Sequence, residues 1–230
     1  MNNIIILVGG YGKRLGLLTK KKPKPLIEFN KKPFLDYLLL EITKLKPKKI
    51  ILLCSYKNEF FIKKYNKGFN GIKIKCVIEN KPLGTGGALF NAKRYVTDNT
   101  LICNGDTFFQ VDKIKNKLAN NYSLLQMFIN TNTHYKSNKK LSQLSINNNK
   151  IFFSKNSSYM NSGIYFVNKS IKKYLKKNVN SFEDDILPKL IDLKLVTGKH
   201  YKGNHFDIGT KKNILIFKKY LKKNNSILPC

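Results

Sequence analysis

Residues 4–16 read IIILVGGYGKRLG, and this stretch decides the fold. The run from Ile4 to Val8 is apolar without interruption, which is typical of a β-strand buried on both faces. Glycines end the strand, and a lysine and an arginine follow them closely. The stretch therefore predicts a buried strand whose carboxyl end opens into a glycine-rich, positively charged loop.

The rest of the first half alternates strand and helix patterns. Further strands are predicted at Lys49–Cys54, Ile72–Ile78 and Thr100–Cys103, and helices at Phe34–Leu45, Glu59–Tyr65 and Gly86–Val96. This β-α-β-α-β-α-β order predicts an α/β fold, with a Rossmann-like, open, mostly parallel sheet and helices on both faces. Such sheets bind ligands at the carboxyl ends of their strands, so we expect the functional residues there.

The second half of the chain is less regular. It predicts strands at Leu124–Ile129, Leu141–Ile146, Ile151–Phe153 and Gly163–Val167, helices at Phe182–Leu193 and Thr210–Lys223, and polar loops at Asn130–Lys140 and Asn147–Asn149. No internal repeat is evident, and the loops are too short to be clear linkers between domains. We expect a single domain over residues 1–230, with one half at about 1–110 and the other at about 111–230.

The charge of the chain is extreme. The 230 residues include 44 Lys and Arg against 13 Asp and Glu, which gives a net charge of +31. This balance favours acidic partners such as nucleotides, phosphosugars, nucleic acid or anionic lipid. Arginine stands only at Arg14 and Arg94, however, and the lysines are spread along the whole chain. Because Asn, Ile and Lys are the residues of A/T-rich codons, genomic base bias explains most of the charge.

Apolar runs and cysteines bear on the cellular location. No apolar run approaches the ~18 residues that a membrane span needs, and the start of the chain does not have the pattern of a signal peptide. Cys54, Cys76, Cys103 and Cys230 lack C-x-x-C spacing, and three of them lie in apolar runs. We therefore expect buried reduced thiols and a soluble cytoplasmic protein.

The loop Gly9–Leu15 predicts a phosphate-binding site. Its glycines let backbone N–H groups approach an anion, and Lys13 and Arg14 add full charges. Leu15 stands where the dinucleotide-binding pattern G-x-G-x-x-G requires glycine, and a Walker A pattern is absent as well. An ordinary glycine turn with two solvated cations is the alternative.

The lysine of Pro23-Lys24-Pro25-Leu26 is a second candidate. Its proline neighbours fix the backbone on either side, so the lysine loses less conformational freedom when it contacts a phosphate. A rigid surface loop explains the same pattern without any function.

The segment Glu79–Ala88, ENKPLGTGGA, lies between the third strand and a helix. Three glycines in four positions suit close contact between the backbone and a ligand. We expect a base or a ribose to lie against the main chain here.

Two carboxylates are candidate ligands for Mg²⁺. Asp106 closes the fourth strand in Asn104-Gly105-Asp106-Thr107, and Asp207 lies in the segment HFDIGT. Two carboxylates from separate strands, together with phosphate oxygens, form a normal oxygen shell for Mg²⁺. Alternatively, Asp207 caps the last helix, although Thr210 could cap it instead.

Taken in order, these motifs resemble a known family. The segments GGYGKRL, PKPL, PLGTGGA, NGDT, NSGIYF and FDIGT are similar to those of the sugar-nucleotide nucleotidyltransferases, or nucleoside-diphosphate-sugar pyrophosphorylases. The resemblance extends from Ile4 to about Phe217. Within the family, PLGTGGA, NGDTFF and SFEDD most resemble the D-glycero-α-D-manno-heptose 1-phosphate guanylyltransferases. Mannose-1-phosphate guanylyltransferases and related uridylyl or cytidylyl enzymes are the alternatives.

The resemblance implies the nucleotide-diphospho-sugar transferase fold and a direct transfer reaction. A sugar 1-phosphate oxygen attacks the α-phosphorus of a nucleoside triphosphate, and pyrophosphate leaves. Arg14 on the departing pyrophosphate and Lys24 beside the α-phosphate would be the catalytic residues, while Asp106 and Asp207 would hold Mg²⁺. The first half of the chain would bind the nucleotide and the second half the sugar phosphate.

The resemblance also implies the binding residues. At the nucleotide these are Val8, Gly9, Gly10, Gly12, Lys13, Glu79, Pro82, Leu83, Gly84, Thr85, Gly86, Asn104 and Gly105. At the sugar phosphate they are Lys155, Asn161, Gly163 and Glu183. The implied partners are the two small-molecule substrates, without nucleic acid or membrane, and a homodimer is left open.

Three segments depart from the family pattern. Lys13 stands where threonine is common, and Ser154 stands where a glutamate usually precedes the lysine at Lys155. Residues 140–142 read Lys-Leu-Ser where Arg-Tyr-Gly is frequent. The last two departures lie in the half that would bind the sugar phosphate.

A protein that binds RNA or a membrane surface is the alternative of a different class. The segment Thr210–Lys223 mixes apolar residues with lysines, and a basic amphipathic helix can lie on anionic lipid. More often the apolar face of such a helix packs against the sheet. The histidines share no metal-binding spacing and are interpreted as structural; they are His134, His200 and His205. Glu183 has an alternative too, as part of a negatively charged helix start.

Overall fold

The computed structural model describes residues 3–115, 124–131, 143–157 and 159–224. In these residues the strands are β1 (Asn3–Leu7), β2 (Glu28–Phe29), β3 (Lys32–Pro33), β4 (Lys49–Cys54), β5 (Ile74–Ile78), β6 (Thr100–Asn104), β7 (Thr107–Phe109), β8 (Leu125–Thr131), β9 (Leu144–Asn147), β10 (Lys150–Phe153), β11 (Tyr159–Val167), β12 (Val196–His200) and β13 (His205–Asp207). The α-helices are α1 (Leu17–Lys21), α2 (Phe34–Thr43), α3 (Asn58–Tyr65), α4 (Gly84–Asn91), α5 (Asp112–Lys115), α6 (Leu187–Asp192) and α7 (Lys211–Lys223).

Nine of the described strands form one sheet, in the order β5-β4-β1-β6-β11-β8-β12-β10-β9. β5, β4, β1 and β6 run parallel, and Ile5 in β1 pairs with Ile51 on one side and Ile102 on the other. β11 is antiparallel to β6 and to β8, whereas β12 is parallel to β8. β10 and β9 complete the sheet with antiparallel pairing. The predicted α/β fold is confirmed, with four neighbouring parallel strands from the first half of the chain.

β1 lies inside the sheet and is covered on both faces. Ile4 and Ile6 pack into the core that includes α2, while Ile5 packs into the core that includes α4 and α6. None of the three has exposed surface. Burial of each such side chain stabilises the fold by about 1.5–3 kcal/mol. The strand that leads into the glycine loop is therefore firmly anchored.

The apolar face of α7 is buried against an aromatic cluster. Ile214, Phe217 and Leu221 lie in this cluster, and the Phe217 ring centroid is 5.0 Å from that of Phe29 and 4.9 Å from that of Phe34. The side chains that an anionic lipid surface would need from this helix therefore pack within the protein. Among the described residues, no helix combines the length and the apolar character of a membrane span.

Two predicted helices differ from the observed ones. The helix predicted at Gly86–Val96 begins at Gly84 and ends at Asn91. The helix predicted at Phe182–Leu193 consists of a π-helical turn (Phe182–Ile186) followed by α6. Pro188 has no N–H to donate to the carbonyl four residues earlier, so a continuous α-helix cannot form across this point.

Several short strands were not predicted. β12 and β13 of the second half were missed because they are short and carry polar residues, and β2, β3 and β7 of the first half have only two or three residues each. Asn130 and Thr131 extend β8, where a loop was predicted, and β11 begins at Tyr159, ahead of the predicted start. Residues 132–142, which include parts of a predicted loop and a predicted strand, lie outside the described residues. The single domain stays a prediction.

The cysteines that the structure describes are free thiols in strands. Cys54 and Cys103 are buried and Cys76 is half-buried, which agrees with the prediction of reduced thiols. Cys230 and His134 lie outside the described residues.

Candidate active site

A cavity of about 980 Å³ opens at the carboxyl ends of β1 and β6 and reaches β11 and the π-helical turn. It gathers predicted site residues from widely separated segments of the chain. Those that line it are Val8, Gly9, Gly10, Gly12, Lys13, Arg14, Lys24, Glu79, Pro82, Gly84, Thr85, Asn104, Asp106, Asn161, Gly163, Glu183 and Asp207. The cavity therefore lies at the edge of the sheet where the sequence predicts a ligand.

Four predicted site residues do not line the cavity. Gly105 packs against β1, where its N–H donates to the Leu7 carbonyl at 2.9 Å. Leu83 is half-buried and Gly86 is buried within the loop to which they belong. Lys155 is exposed in the turn that follows β10. A role for these residues at a ligand stays a prediction.

The glycine loop after β1 packs against the segment that carries Lys24. Gly12 has a φ of +64°, and a Cβ at this position would lie 2.8 Å from Thr19 Cγ2 and 3.2 Å from Lys24 Cβ. A larger residue is excluded both by this backbone conformation and by these contacts. Lys13 and Arg14 follow at the exposed end of the loop. The loop thus presents backbone N–H groups and two cations along one rim of the cavity.

Lys24 brings a nearly buried charge to the cavity. Its residue surface is 7% exposed, and its Nζ forms an ion pair with Asp106 Oδ2. Pro23 and Pro25 hold the backbone on either side, as the sequence predicts. Burial raises the pKa of the Asp106 carboxyl, but the charge of Lys24 and the hydrogen bonds from Lys24 and Thr107 outweigh burial. The pKa of Asp106 lies below its usual value, so the carboxylate is ionised at neutral pH.

Asp207 is held by two hydrogen bonds beside both cations. Its Oδ1 accepts from the Gly209 N–H at 2.8 Å, and its Oδ2 accepts from Asn213 Nδ2 at 2.8 Å. A Cβ on Gly209 would lie 2.6 Å from Asp207 Oδ1, 3.4 Å from Arg14 Nη2 and 3.5 Å from Lys24 Nζ. The Asp207 carboxylate and the two cations therefore converge on the space beside Gly209. Because glycine has no side chain, this space stays open.

The hydrogen bonds at the start of α7 show whether Asp207 caps this helix or lines the cavity. Thr210 Oγ1 accepts a hydrogen bond from the Asn213 N–H at 3.2 Å and therefore caps the helix. The Asp207 carboxylate is not the cap, and it lines the cavity instead.

Glu79 fixes the loop that follows β5. Its Oε2 accepts a hydrogen bond from the Leu83 N–H at 3.2 Å. Burial raises the pKa of the Glu79 carboxyl, and hydrogen bonds from Leu83 and Ser55 offset this effect in part. The hydrogen bond between Glu79 and the Leu83 backbone fixes the loop, and the loop residues Pro82 and Gly84 line the cavity.

The glycines of PLGTGGA contact the chain itself. Gly84 has a φ of +70°, and a Cβ there would lie 2.1 Å from the carbonyl oxygen of Asn180. The Gly86 N–H donates to the same carbonyl at 3.0 Å, and a Cβ on Gly86 would lie 2.9 Å from the Val179 carbonyl oxygen. The Cβ positions of these glycines are occupied by a backbone segment distant in sequence, which the local pattern could not reveal. The predicted contact of this segment with a base or a ribose stays a prediction.

A bulge in β11 shapes the opposite wall of the cavity. The pairing of β11 with β8 shifts register between Asn161 and Tyr165. Within the bulge, Asn161 Nδ2 donates to Tyr165 Oη at 2.5 Å, and Asn161 Oδ1 accepts from the Gly163 N–H at 2.9 Å. Gly163 has a φ of +70°, and a Cβ there would lie 2.6 Å from Asn104 Nδ2. Bulges commonly re-aim side chains in this way next to functional sites.

The π-helical turn places Glu183 and Asp184 on the cavity wall. Burial raises the pKa of the Glu183 carboxyl, and a hydrogen bond from Thr85 offsets part of that rise. The cavity lining also includes Lys13, Arg14 and Lys24. The cations suit phosphate groups, and the Glu183 carboxylate suits hydroxyl donors.

Several residues that line the cavity were not predicted from the sequence. Tyr11 lies in the glycine loop, and its ring centroid is 4.9 Å from that of Tyr56. His205 and Ser162 lie together, with His205 Nε2 2.9 Å from the Ser162 carbonyl oxygen. His205 was interpreted as structural, although its position two residues before Asp207 was a usable signal. Burial lowers the pKa of His205.

The sequence matches the family described as Nucleotidyl transferase over residues 3–224. The chain belongs to this family. It is therefore a nucleotidyl transferase enzyme, and enzymes of this family generally use a divalent metal.

Two curated relatives of this nucleotidyl transferase are named D-glycero-alpha-D-manno-heptose 1-phosphate guanylyltransferase. The protein from Campylobacter jejuni is 45% identical over 114 residues, which are 50% of this chain and 52% of that protein. The protein from Aneurinibacillus thermoaerophilus is 32% identical over 212 residues, which are 89% of this chain and 92% of that protein. The predicted family resemblance is confirmed.

A solved structure supports the same grouping. HddC from Yersinia pseudotuberculosis superimposes with a TM-score of 0.78 at 30% identity, covering 96% of this transferase and 100% of HddC. A second structure of HddC is described as complexed with GMP-PN. The fold of this transferase is therefore shared with HddC over nearly the whole chain.

Proposed function

We propose that this nucleotidyl transferase moves GMP from GTP to D-glycero-α-D-manno-heptose 1-phosphate, releasing pyrophosphate and the GDP-activated heptose. The observation that carries the proposal is the convergence of Arg14, Lys24, Asp106 and Asp207 on one cavity. The names of the two curated relatives support GTP and the heptose phosphate as the substrates. Another sugar 1-phosphate, such as mannose 1-phosphate, is the alternative acceptor.

The chemical step is a direct displacement at phosphorus. An oxygen of the sugar 1-phosphate forms a bond to the α-phosphorus of GTP, and the bond between the α-phosphorus and the bridging oxygen to the β-phosphorus breaks. The electron pair of the broken bond leaves with pyrophosphate. Two polyanions must approach each other, so catalysis is mainly positioning and stabilisation of charge.

The rim of the cavity supplies those functions. The backbone N–H groups of the loop from Gly9 to Lys13 face the triphosphate, and Arg14 binds the departing pyrophosphate. Lys24 lies beside the α-phosphate, where it stabilises the charge that develops in the transition state. Its burial strengthens this interaction, because water screens the charge less.

Asp106 and Asp207 are the residues that would hold Mg²⁺. In the described residues, no three acidic, histidine or cysteine side chains cluster as a metal site. Two carboxylates fit Mg²⁺ nonetheless, because this ion usually takes few protein ligands and completes its shell with substrate phosphates and water. When bound, Mg²⁺ neutralises charge on the triphosphate. Gly209 and Asn213 orient the Asp207 carboxylate toward the cavity.

The cavity wall that carries Glu183 would bind the sugar. Asn161, Gly163 and Glu183 contact hydroxyl groups of the heptose, and Lys155, which is exposed and outside the cavity lining, is the predicted contact of the sugar phosphate. A sugar hydroxyl donates a hydrogen bond to a carboxylate, whereas a phosphate would be repelled by Glu183 and Asp184. These interactions orient the acceptor with its hydroxyl groups toward Glu183 and its phosphate toward Lys24. The proposal places the enzyme in the cytoplasm, where GTP is supplied, and leaves a homodimer open.

A pyrophosphate-release screen tests the proposal. GTP, UTP, CTP, dTTP and ATP are crossed with heptose, mannose and glucose 1-phosphates in the presence of Mg²⁺. We expect the fastest release with GTP and the heptose phosphate. Faster release with another pair would replace the proposed substrates, and no release with any pair would refute nucleotidyl transfer to a sugar 1-phosphate.

A further inference from the structure

The hydroxyl of Thr85 joins the two halves of the cavity wall. Thr85 lies in the first turn of α4, within the loop predicted to bind the nucleotide. Its Oγ1 donates a hydrogen bond to Glu183 Oε2 at 2.5 Å and accepts one from the Phe182 N–H at 2.8 Å. A threonine hydroxyl has a single proton, and this proton is directed at Glu183. It is therefore not available to a base or a ribose.

The backbone around Thr85 fixes this contact. The residues on either side, Gly84 and Gly86, both pack against the carbonyl of Asn180. A Cβ on Gly84 would lie 2.1 Å from that oxygen, so the two segments approach as closely as backbones can. The position of the hydroxyl relative to Glu183 is thereby set by the main chain and not by a mobile side chain.

Glu183 depends on this hydrogen bond because of its surroundings. Burial raises the pKa of the carboxyl, and the Thr85 hydrogen bond favours the ionised form. Asp184, the next residue, adds a like charge that raises the pKa further. A buried carboxylate that loses a hydrogen bond is left with an uncompensated cost of desolvation. It then rotates toward another donor or takes up a proton.

We propose that Thr85 is a positioning residue for the sugar acceptor, acting through Glu183, although it lies in the nucleotide loop. The inference rests on the proposed function, which places sugar hydroxyls against Glu183. In this arrangement Thr85 holds Oε2 so that the carboxyl group stays directed at the cavity. Loss of the hydroxyl weakens acceptor binding and leaves nucleotide binding intact.

Thr85→Val and Thr85→Ser test the proposal as a matched pair. Valine has the shape of threonine without the hydroxyl, while serine keeps the hydroxyl. We expect Thr85→Val to raise the KM for the sugar 1-phosphate by about tenfold or more, as the loss of a hydrogen bond to a charged group implies. The Kd for GTP, measured by titration calorimetry, should stay within about twofold, and Thr85→Ser should restore the acceptor KM.

A double-mutant cycle separates this role from a structural one. If Thr85 acts through Glu183, Thr85→Val should change the acceptor KM little in a Glu183→Ala background, where no side-chain oxygen remains to accept the Thr85 hydrogen bond. A weaker Kd for GTP with an unchanged acceptor KM would make Thr85 a nucleotide ligand and overturn the inference. Equal effects of Thr85→Val in both backgrounds would overturn it as well.

Pyrophosphate release by the wild type and the acceptor KM of Thr85→Val together distinguish failure of this inference from failure of the proposed function. If the wild type releases pyrophosphate with a sugar 1-phosphate but Thr85→Val has the same acceptor KM, only the inference fails. If the wild type releases none with any acceptor, the proposed function fails, and the inference fails with it. Should Thr85→Val not fold, as judged by thermal unfolding, Thr85→Ala and Thr85→Ser provide the same comparison.

Discussion

At the scale of the residue, Lys24 carries a positive charge on a side chain that is almost wholly buried. A buried charge without a partner is costly, and the ion pair with Asp106 compensates it. The same charge lowers the pKa of Asp106, so this carboxylate is ionised at neutral pH. The pairing was not predicted from the sequence, because 82 residues separate the two side chains.

Lys24→Ala tests the catalytic role of this lysine. We expect kcat to fall by an amount equal to about 2–4 kcal/mol of transition-state stabilisation, with a small change in the KM for GTP. Steady-state rates of pyrophosphate release measure both constants. Lys22→Ala is the control, since Lys22 is an exposed neighbour that pairs with Glu28 at 2.5 Å and does not line the cavity. A change confined to KM would contradict the assigned role.

Asp106→Asn tests the proposed metal site. The amide is close to the carboxylate in size but lacks its charge, so Mg²⁺ loses one of two protein ligands. We expect turnover in the presence of Mg²⁺ to be abolished while the circular dichroism spectrum is unchanged. Turnover at the wild-type rate would remove Asp106 from the site.

Glu183 predicts a dependence of stability on pH. Burial raises the pKa of Glu183 in the folded state above the ordinary value of 4.5. At a pH between 4.5 and the raised pKa, the folded state binds a proton that the unfolded state has lost. The free energy of unfolding therefore falls as the pH rises through this window. Glu183→Gln removes the titrating group. The free energy of unfolding of Glu183→Gln and of the wild type is measured in urea at several pH values between about 5 and 8. The value for Glu183→Gln should increase relative to that of the wild type as the pH rises.

The difference between the free energies of unfolding of wild type and Glu183→Gln, plotted against pH, tests this prediction. Other titrating groups are common to both proteins, so their contributions cancel in the difference. Parallel curves across the window would mean that the Glu183 pKa is not raised in the folded state.

At the scale of the element, the parallel strands were predictable because burial on both faces demands continuous apolar runs. β1 and β4 read as such runs, and their bounds agree with the prediction to within a residue. β12 was missed because its sequence, VTGKH, is short and mixed in polarity. The π-helical turn was missed because its cause, Pro188, acts on a carbonyl four residues away and leaves the apolar periodicity unchanged.

Ile5→Ala tests the importance of β1 as the anchor of the glycine loop. Ile5 is fully buried between Ile51 and Ile102, and deleting its side chain leaves a cavity. We expect the free energy of unfolding to fall by about 2–5 kcal/mol. Ile78→Ala, on the edge strand β5 where Ile78 is 43% exposed, should cost much less. Equal losses for both variants in urea unfolding would contradict the central placement of β1.

At the scale of the whole molecule, the net charge of +31 and the local charge of the cavity are different properties. The cavity lining combines three cations with five carboxylates, namely Glu79, Asp106, Glu183, Asp184 and Asp207. The resemblance of the ordered motifs to the family implied that Arg14, Lys24, Asp106 and Asp207 share a site, and all four line the same cavity. The contact between Thr85 and Glu183 spans 98 residues, and nothing in the local sequence indicated it.

Phosphorus-31 NMR of a single reaction mixture follows the transfer of the nucleotidyl group itself. GTP, D-glycero-α-D-manno-heptose 1-phosphate and Mg²⁺ are incubated with the enzyme, and Asp106→Asn serves as the control. We expect pyrophosphate and a nucleotide-sugar diphosphate to appear in equal amounts as both substrates disappear, and the variant to form neither. Inorganic phosphate with GDP, or pyrophosphate with GMP and no nucleotide sugar, would show hydrolysis and contradict transfer to the sugar phosphate.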